Sequence, residues 1–169
     1  MAYQENYQKW LDFAQLPDYL RKDLENMDEK TKEDAFYTNL EFGTAGMRGL
    51  IGAGTNRINI YVVRQATEGL ARLIESKGGN EKGRGVAIAY DSRHFSPEFA
   101  FESAAVLAKH GIKSYVFESL RPTPELSFAV RHLNCFAGIM VTASHNPAPF
   151  NGYKVYGEDG GQMPPHDAD

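Results

Sequence analysis

The sequence has 169 residues, 42% of them hydrophobic and 24% charged, with a formal net charge of −4, which is the composition of one globular domain with a real core. The acidic balance removes the electrostatic case for nucleic acid or an anionic membrane surface as partner. The longest apolar runs fall far short of the ~20 residues that a membrane span needs.

The opening MAYQENYQKW has neither the basic region nor the apolar stretch of a secretory signal. Together with a single cysteine, Cys135, which has no internal disulfide partner, this predicts a reducing, cytoplasmic setting. Cys135 precedes an apolar strand and reads as a small core residue.

Residues 3–39 read as polar helices in three pieces. Tyr3, Tyr7, Trp10 and Phe13 recur at helical spacing, Pro17 starts a second helix to about Met27, and Thr31 caps a third from Lys32 to Asn39. The aromatic stripe either packs on the rest of the domain or docks another domain or subunit. After Glu41, Gly43 to Gly54 holds five glycines in a dozen residues, which predicts a loop rather than a regular element. Its N–H groups and Arg48 suit an anion; the plainer alternative is a connector with a surface arginine. No Gly-Lys-Ser/Thr follows, so it is not a Walker loop.

Asn59 to Lys77 is an amphipathic helix with Ile60, Val63, Leu70, Leu73 and Ile74 on one face. Gly85–Tyr90 reads as a buried strand that ends in Asp91-Ser92-Arg93-His94. Ser96-Pro97 and Thr123-Pro124 read as helix caps followed by proline, opening helices to about His110 and Leu133. Lys113–Phe117 and Phe136–Val141 read as two more strands, and a short run at Tyr153-Lys154-Val155-Tyr156 as an antiparallel edge. Strands alternating with helices predict an α/β fold: a single three-layer domain whose mixed, mostly parallel sheet lies between helices, preceded by a helical N-terminal extension.

Parallel strands place their carboxyl ends on one edge, where open α/β sheets bind ligands. Two polar clusters, Asp91-Ser92-Arg93 and Thr142-Ala143-Ser144-His145-Asn146, should meet there, within reach of Arg48. A serine hydroxyl needs activation or a strong electrophile. His145 is adjacent to Ser144 and points to the other face of an extended segment, and no G-x-S-x-G elbow is present, so a hydrolase triad fits poorly. A phosphoryl carrier fits better, with Arg48, Arg93, Lys154 and loop N–H groups to neutralise it. Ser-His-Asn-Pro also reads as a plain turn. The histidines lack metal-ligand spacing.

Four stretches, Phe42-Gly-Thr-Ala-Gly-Met-Arg-Gly49, Tyr90-Asp-Ser-Arg93, Thr142-Ala-Ser-His-Asn-Pro147 and Asn151-Gly-Tyr-Lys154, resemble in order the motifs of the α-D-phosphohexomutases, the phosphoglucomutase and phosphomannomutase family. The chain is most similar to the branch of bacterial α-phosphoglucomutases and phosphopentomutase-like enzymes. The resemblance implies that Ser144 carries a phosphoryl group between the O1 and O6 positions of a phosphosugar substrate, through a bisphosphosugar such as glucose 1,6-bisphosphate. Arg48, His145 and Lys154 would then serve the transfer. Thr44, Arg48, Ser144, His145, Asn146 and Lys154 would bind phosphate or substrate, and Asp91, Ser92, Arg93 and Thr142 would brace them.

Mg²⁺ would be bound through the Ser144 phosphoryl oxygen and by aspartates of a loop that this sequence does not contain. The resemblance therefore implies an extension over 1–39 and the serine domain over 40–169, with domains II–IV absent. Such a chain is expected to be inactive or nearly so alone, and to self-associate through uncovered interdomain surface. A phosphopentomutase or phosphomannomutase domain, or a non-catalytic phosphosugar- or protein-binding module, are the alternatives.

Overall fold

The computed structural model describes residues 2–42, 46–79, 81–142, 147 and 149–163. Three short helices come first: α1 (Ala2–Asp12), α2 (Asp18–Glu25) and α3 (Glu29–Phe36). They are followed by β1 (Met47–Leu50), α4 (Ile60–Lys77), the single turn α5 (Glu81–Arg84), β2 (Val86–Tyr90) and α6 (Ser96–Lys109). The chain continues through β3 (Ser114–Val116), α7 (Thr123–His132), β4 (Ala137–Val141) and β5 (Phe150–Tyr156). The strands make one sheet in the order β1-β5-β4-β2-β3. β3 and β4 pair in parallel with β2, while β5 runs against both β4 and β1. The predicted α/β fold with a mixed sheet between helices is the one observed.

Strand alternation sorts side chains onto the two faces. Val86, Ile88, Tyr90, Ala137, Ile139, Val141, Tyr153 and Val155 join the buried faces of α4 and α6 in the main core. On the other face Ala87, Ala89, Met140 and Tyr156 meet Leu126, Ala129 and Val130 of α7, with Cys135 buried among them as expected. Small residues are needed there because α7 comes close: a Cβ added to Gly138 would lie 2.6 Å from Val130 Cγ2.

The aromatic stripe of α1 turns inward. Tyr7 and Trp10 both pack edge-on against buried Phe36 at 5.7 Å, and Trp10 and Phe13 pack against Tyr61 of α4. Buried Leu16, Leu20, Leu24, Ala35 and Ala53 complete this cluster.

Several local expectations are corrected. The glycine-rich stretch contains a strand, β1, and β5 starts at Phe150 rather than Tyr153; β5 is inserted between β1 and β4 instead of forming an edge. Asp28, not Thr31, caps α3, its carboxylate accepting from the Thr31 N–H at 2.7 Å, and the helix ends at Phe36. Ser96 and Thr123 are the first helical residues rather than caps. Phe95, in the left-handed region at φ 67°, and Pro122 precede them.

Candidate active site

Tyr90 of β2 pairs with Val141 of β4, so the two strands end side by side. The backbone continues the match beyond them: the Asp91 N–H donates to the Val141 carbonyl at 3.2 Å. Asp91 and Thr142, the first residues of the two polar clusters, therefore lie at one edge of the sheet. Ser144, His145 and Asn146 lie outside the described residues, as does Thr44. Both flanks of the serine-bearing segment are described. On one side buried Thr142 donates its N–H to the Gly152 carbonyl at 3.1 Å. On the other, the Pro147 carbonyl accepts from the Phe150 N–H at 2.9 Å and the Pro149 carbonyl from the Ile51 N–H at 2.8 Å.

Arg48 and Lys154 are brought together by the β1–β5 pairing. Met47 lies opposite Tyr153, and both enter the α4–α6 core, so Arg48 and Lys154 leave the sheet on the other face. Gly152, opposite Arg48, has no room for a side chain: an added Cβ would stand 2.6 Å from the Thr142 carbonyl, 2.7 Å from the Met47 carbonyl and 3.1 Å from Arg48 Cγ. Gly46, at φ +79°, lies against the lysine stem, its would-be Cβ 2.9 Å from Lys154 Cγ. These contacts explain Gly46, which the sequence showed only as a loop signal, and the glycine of the Asn151-Gly-Tyr-Lys154 motif.

Lys154 is 9% exposed. Burial first, and the Arg48 guanidinium second, hold its ammonium below the ordinary lysine value. An anion placed between two such cations would offset their mutual repulsion. Tyr153 anchors this arrangement from behind. It is fully buried, its hydroxyl 2.9 Å from Thr67 Oγ1, and burial pushes it far above the usual phenol range.

Asp91 and Arg93 fix the turn after β2 and the far flank of the serine-bearing segment. Asp91 Oδ1 accepts from the Arg93 N–H at 3.0 Å and from Ser96 Oγ at 2.8 Å. Arg93 Nη1 donates to the Pro147 carbonyl at 3.0 Å and the Phe150 carbonyl at 3.2 Å, with its Nε 3.7 Å from Asp91 Oδ2. Ser92 is exposed on the turn between them.

Sequence reasoning gave Asn151 and Ser96 no part in the site, yet both are fully buried in this network. Asn151 Nδ2 donates to the His94 carbonyl and to Ser96 Oγ, each at 3.0 Å, and its Oδ1 accepts from the Gly152 N–H at 2.8 Å. The available signal was the Asn-Gly pair, which reads equally well as a turn. Among the described residues no three His, Cys, Asp or Glu side chains are placed to hold a metal ion. No helix among them is long and apolar enough to cross a membrane.

Comparison with known proteins agrees with this geometry. A family profile described as phosphoglucomutase/phosphomannomutase, alpha/beta/alpha domain I, matches residues 39–169. A phosphoglucomutase of Staphylococcus epidermidis is 46% identical over 155 residues, covering 91% of this chain and 28% of that protein. One from Staphylococcus aureus is 49% identical over 132 residues, covering 78% of this chain and 23% of that protein. The crystal structure of a candidate phosphomannomutase from Thermus thermophilus superposes with a TM-score of 0.69 at 34% identity, over 78% of this chain and 28% of that one. A phosphoglucomutase/phosphomannomutase family protein from Burkholderia thailandensis gives 0.61 at 26% identity, over 72% and 27%. The chain thus spans about a quarter of the length of the curated relatives it matches.

Proposed function

This chain belongs to the phosphoglucomutase/phosphomannomutase family as its α/β/α domain I, and on that premise we propose that it is the phosphoserine-carrying domain of a phosphoglucomutase. The reaction is the interconversion of glucose 1-phosphate and glucose 6-phosphate. The observation that carries the reading is the Arg48–Lys154 pair, held on one face of the sheet beside the flank of the Ser144 segment.

Ser144 Oγ gives its phosphoryl group to the free hydroxyl of the monophosphate. The serine P–O bond breaks as the sugar P–O bond forms. The bisphosphosugar turns over and returns its other phosphoryl group to the same oxygen. Arg48 and Lys154 hold the phosphoryl charge through this exchange, which needs positioning and electrostatics more than covalent chemistry. Thr44, His145 and Asn146 contact phosphate or sugar, and Asp91, Ser92, Arg93 and Thr142 brace the segment. Mg²⁺, when bound, supplies further charge neutralisation, with the Ser144 phosphoryl oxygen as this chain's ligand to it.

The relatives' extra length supports the domain reading: residues 1–39 form an extension, 40–169 the serine domain, and the metal aspartates and the rest of the sugar site come from outside these residues. The 169 residues alone accordingly turn over little or no glucose 1-phosphate. They work in the cytoplasm, and exposed Phe101, Leu120 and Phe128 favour self-association that light scattering would detect.

The test is a coupled assay on the native polypeptide, in which these residues are joined to those supplying the metal aspartates and the rest of the sugar site, primed with glucose 1,6-bisphosphate, with intact-mass measurement alongside. Ser144→Ala is expected to abolish turnover and the added phosphoryl mass together. Turnover by Ser144→Ala within tenfold of the parent would refute the carrier role.

A further inference from the structure

The turn between β2 and α6 is held in a conformation it would not adopt alone. Phe95 sits at φ 67°, ψ 0°, which is unfavourable for a bulky residue and persists only where its surroundings over-determine it. Its ring is stacked between Tyr19 of α2 at 5.5 Å and Phe99 at 5.8 Å. The backbone on either side is fixed by the buried triangle already described. Asn151 donates to the His94 carbonyl before Phe95 and to the Ser96 hydroxyl after it, and that hydroxyl donates to Asp91 Oδ1. From this turn Arg93 reaches the Pro147 and Phe150 carbonyls at the far flank of the serine-bearing segment.

Asn151 also belongs to β5, three residues before Lys154, and its Oδ1 fixes the N–H of Gly152, whose carbonyl receives Thr142 on the near flank. One side chain therefore ties together the strand that carries Lys154, the turn that carries Arg93, and indirectly both flanks of residues 143–146.

We propose that Asn151, supported by Ser96 and Asp91, is a positioning residue that fixes both flanks of the serine-bearing segment to the strand that carries Lys154. The inference rests on Ser144 being the phosphoryl carrier. It assigns Asn151 no contact with substrate: its amide is consumed within the protein, so it acts on rate through geometry.

The experiment uses the native polypeptide with Asn151→Ala and Ser96→Ala. For Asn151→Ala, kcat on glucose 1-phosphate is expected to fall about 100-fold while KM changes less than about threefold, the signature of misplaced groups rather than lost binding. Ser96→Ala, which removes one vertex, is expected to lower kcat about tenfold. Hydrogen exchange supplies a readout that does not need turnover. The Thr142, Phe150 and Ile51 amides should exchange at least about tenfold faster in both variants, with the Ile139 and Ala89 amides unchanged.

If Asn151→Ala does not fold, Ser96→Ala carries both measurements. Unchanged exchange at the three flanking amides, or a kcat loss matched by an equal rise in KM, would overturn the positioning role. A parent without mutase turnover would sink the functional reading alone, because the exchange measurement still decides whether Asn151 orders the segment.

Discussion

The Arg48–Lys154 pair and the cluster of Glu68, His110 and Glu75 are both small groups of ionisable side chains, and they are built in opposite ways. At the end of α6, His110 Nε2 and Nδ1 lie 2.9 Å from the carboxylates of Glu68 and Glu75 on α4. The Glu68 hydrogen bond, then the charges of Glu68 and Glu75, raise the imidazole above 6.5 despite some desolvation. Opposite charges here satisfy one another and clamp two helices. Arg48 and Lys154 are like charges, and burial first and the Arg48 charge second lower the lysine's proton affinity. The first cluster sets unlike charges against one another across two helices, and the second sets like charges side by side on one face of the sheet. That contrast separates an arrangement whose charges add to stability from one whose charges cost it.

The comparison breaks most sharply at Lys154. Lys154→Met in the native polypeptide is expected to lower turnover about 100- to 1000-fold, the usual scale for losing one preorganised charge-stabilising group. It should also make the domain more stable by roughly 1 kcal/mol in urea unfolding, since a crowded, desolvated charge is gone. The sign with pH is fixed by a folded value below 10.5. The penalty is complete while the ammonium is charged in both states, and it fades as pH rises through the folded value, so the variant's advantage should shrink toward pH 10.5. A variant both inactive and less stable would remove the contrast.

Gly152→Ala sharpens the same point differently. Its Cβ would strike two carbonyls and push β1 from β5, so stability should fall by about 2–3 kcal/mol, and activity with it. Loss of activity without loss of stability would mean that the pairing of Arg48 with Lys154 does not depend on close strand approach.

The smallest effect is expected at His110. His110→Gln should be less stable than the parent near about pH 5.5, with the gap closing as pH rises through the folded histidine value. A raised pKa contributes fully below 6.5 and is lost above the folded value. A gap constant from acid to alkaline pH would assign the clamp to packing rather than charge.

What could be read from the sequence follows from how each element buries itself. Val86–Tyr90 and Ala137–Val141 are covered on both faces, and continuous apolar runs announced them. β1 was hidden because Gly49 packs its bare backbone toward Leu40, leaving no hydrophobic alternation to count. β5 was shortened for a related reason: Asn151 and Gly152 look like a turn, and the burial of that amide depends on His94 and Ser96, more than fifty positions away. Ser96 resembled a helix cap because its hydroxyl was needed, but it was needed by Asp91. The nearness of Asp91 and Thr142 was legible because parallel topology alone places the two strand ends together. The faces taken by Arg48 and Lys154 required the register of a strand that had not been foreseen.

The reversed direction of β5 has a consequence for how the site comes into being. β4, the serine-bearing segment and β5 are consecutive, so their contacts span few residues and close a short loop. β1 joins β5 from about a hundred positions earlier, as an edge strand of four residues. The expected order is therefore a local β4–β5 hairpin first and the distant edge strand late; amide protection of Met47–Leu50 preceding that of β4 and β5 during refolding would contradict it. On this order Lys154 is in place while the sheet is still incomplete, and Arg48 arrives with the final strand, so charge crowding at the site develops only when the sheet has closed.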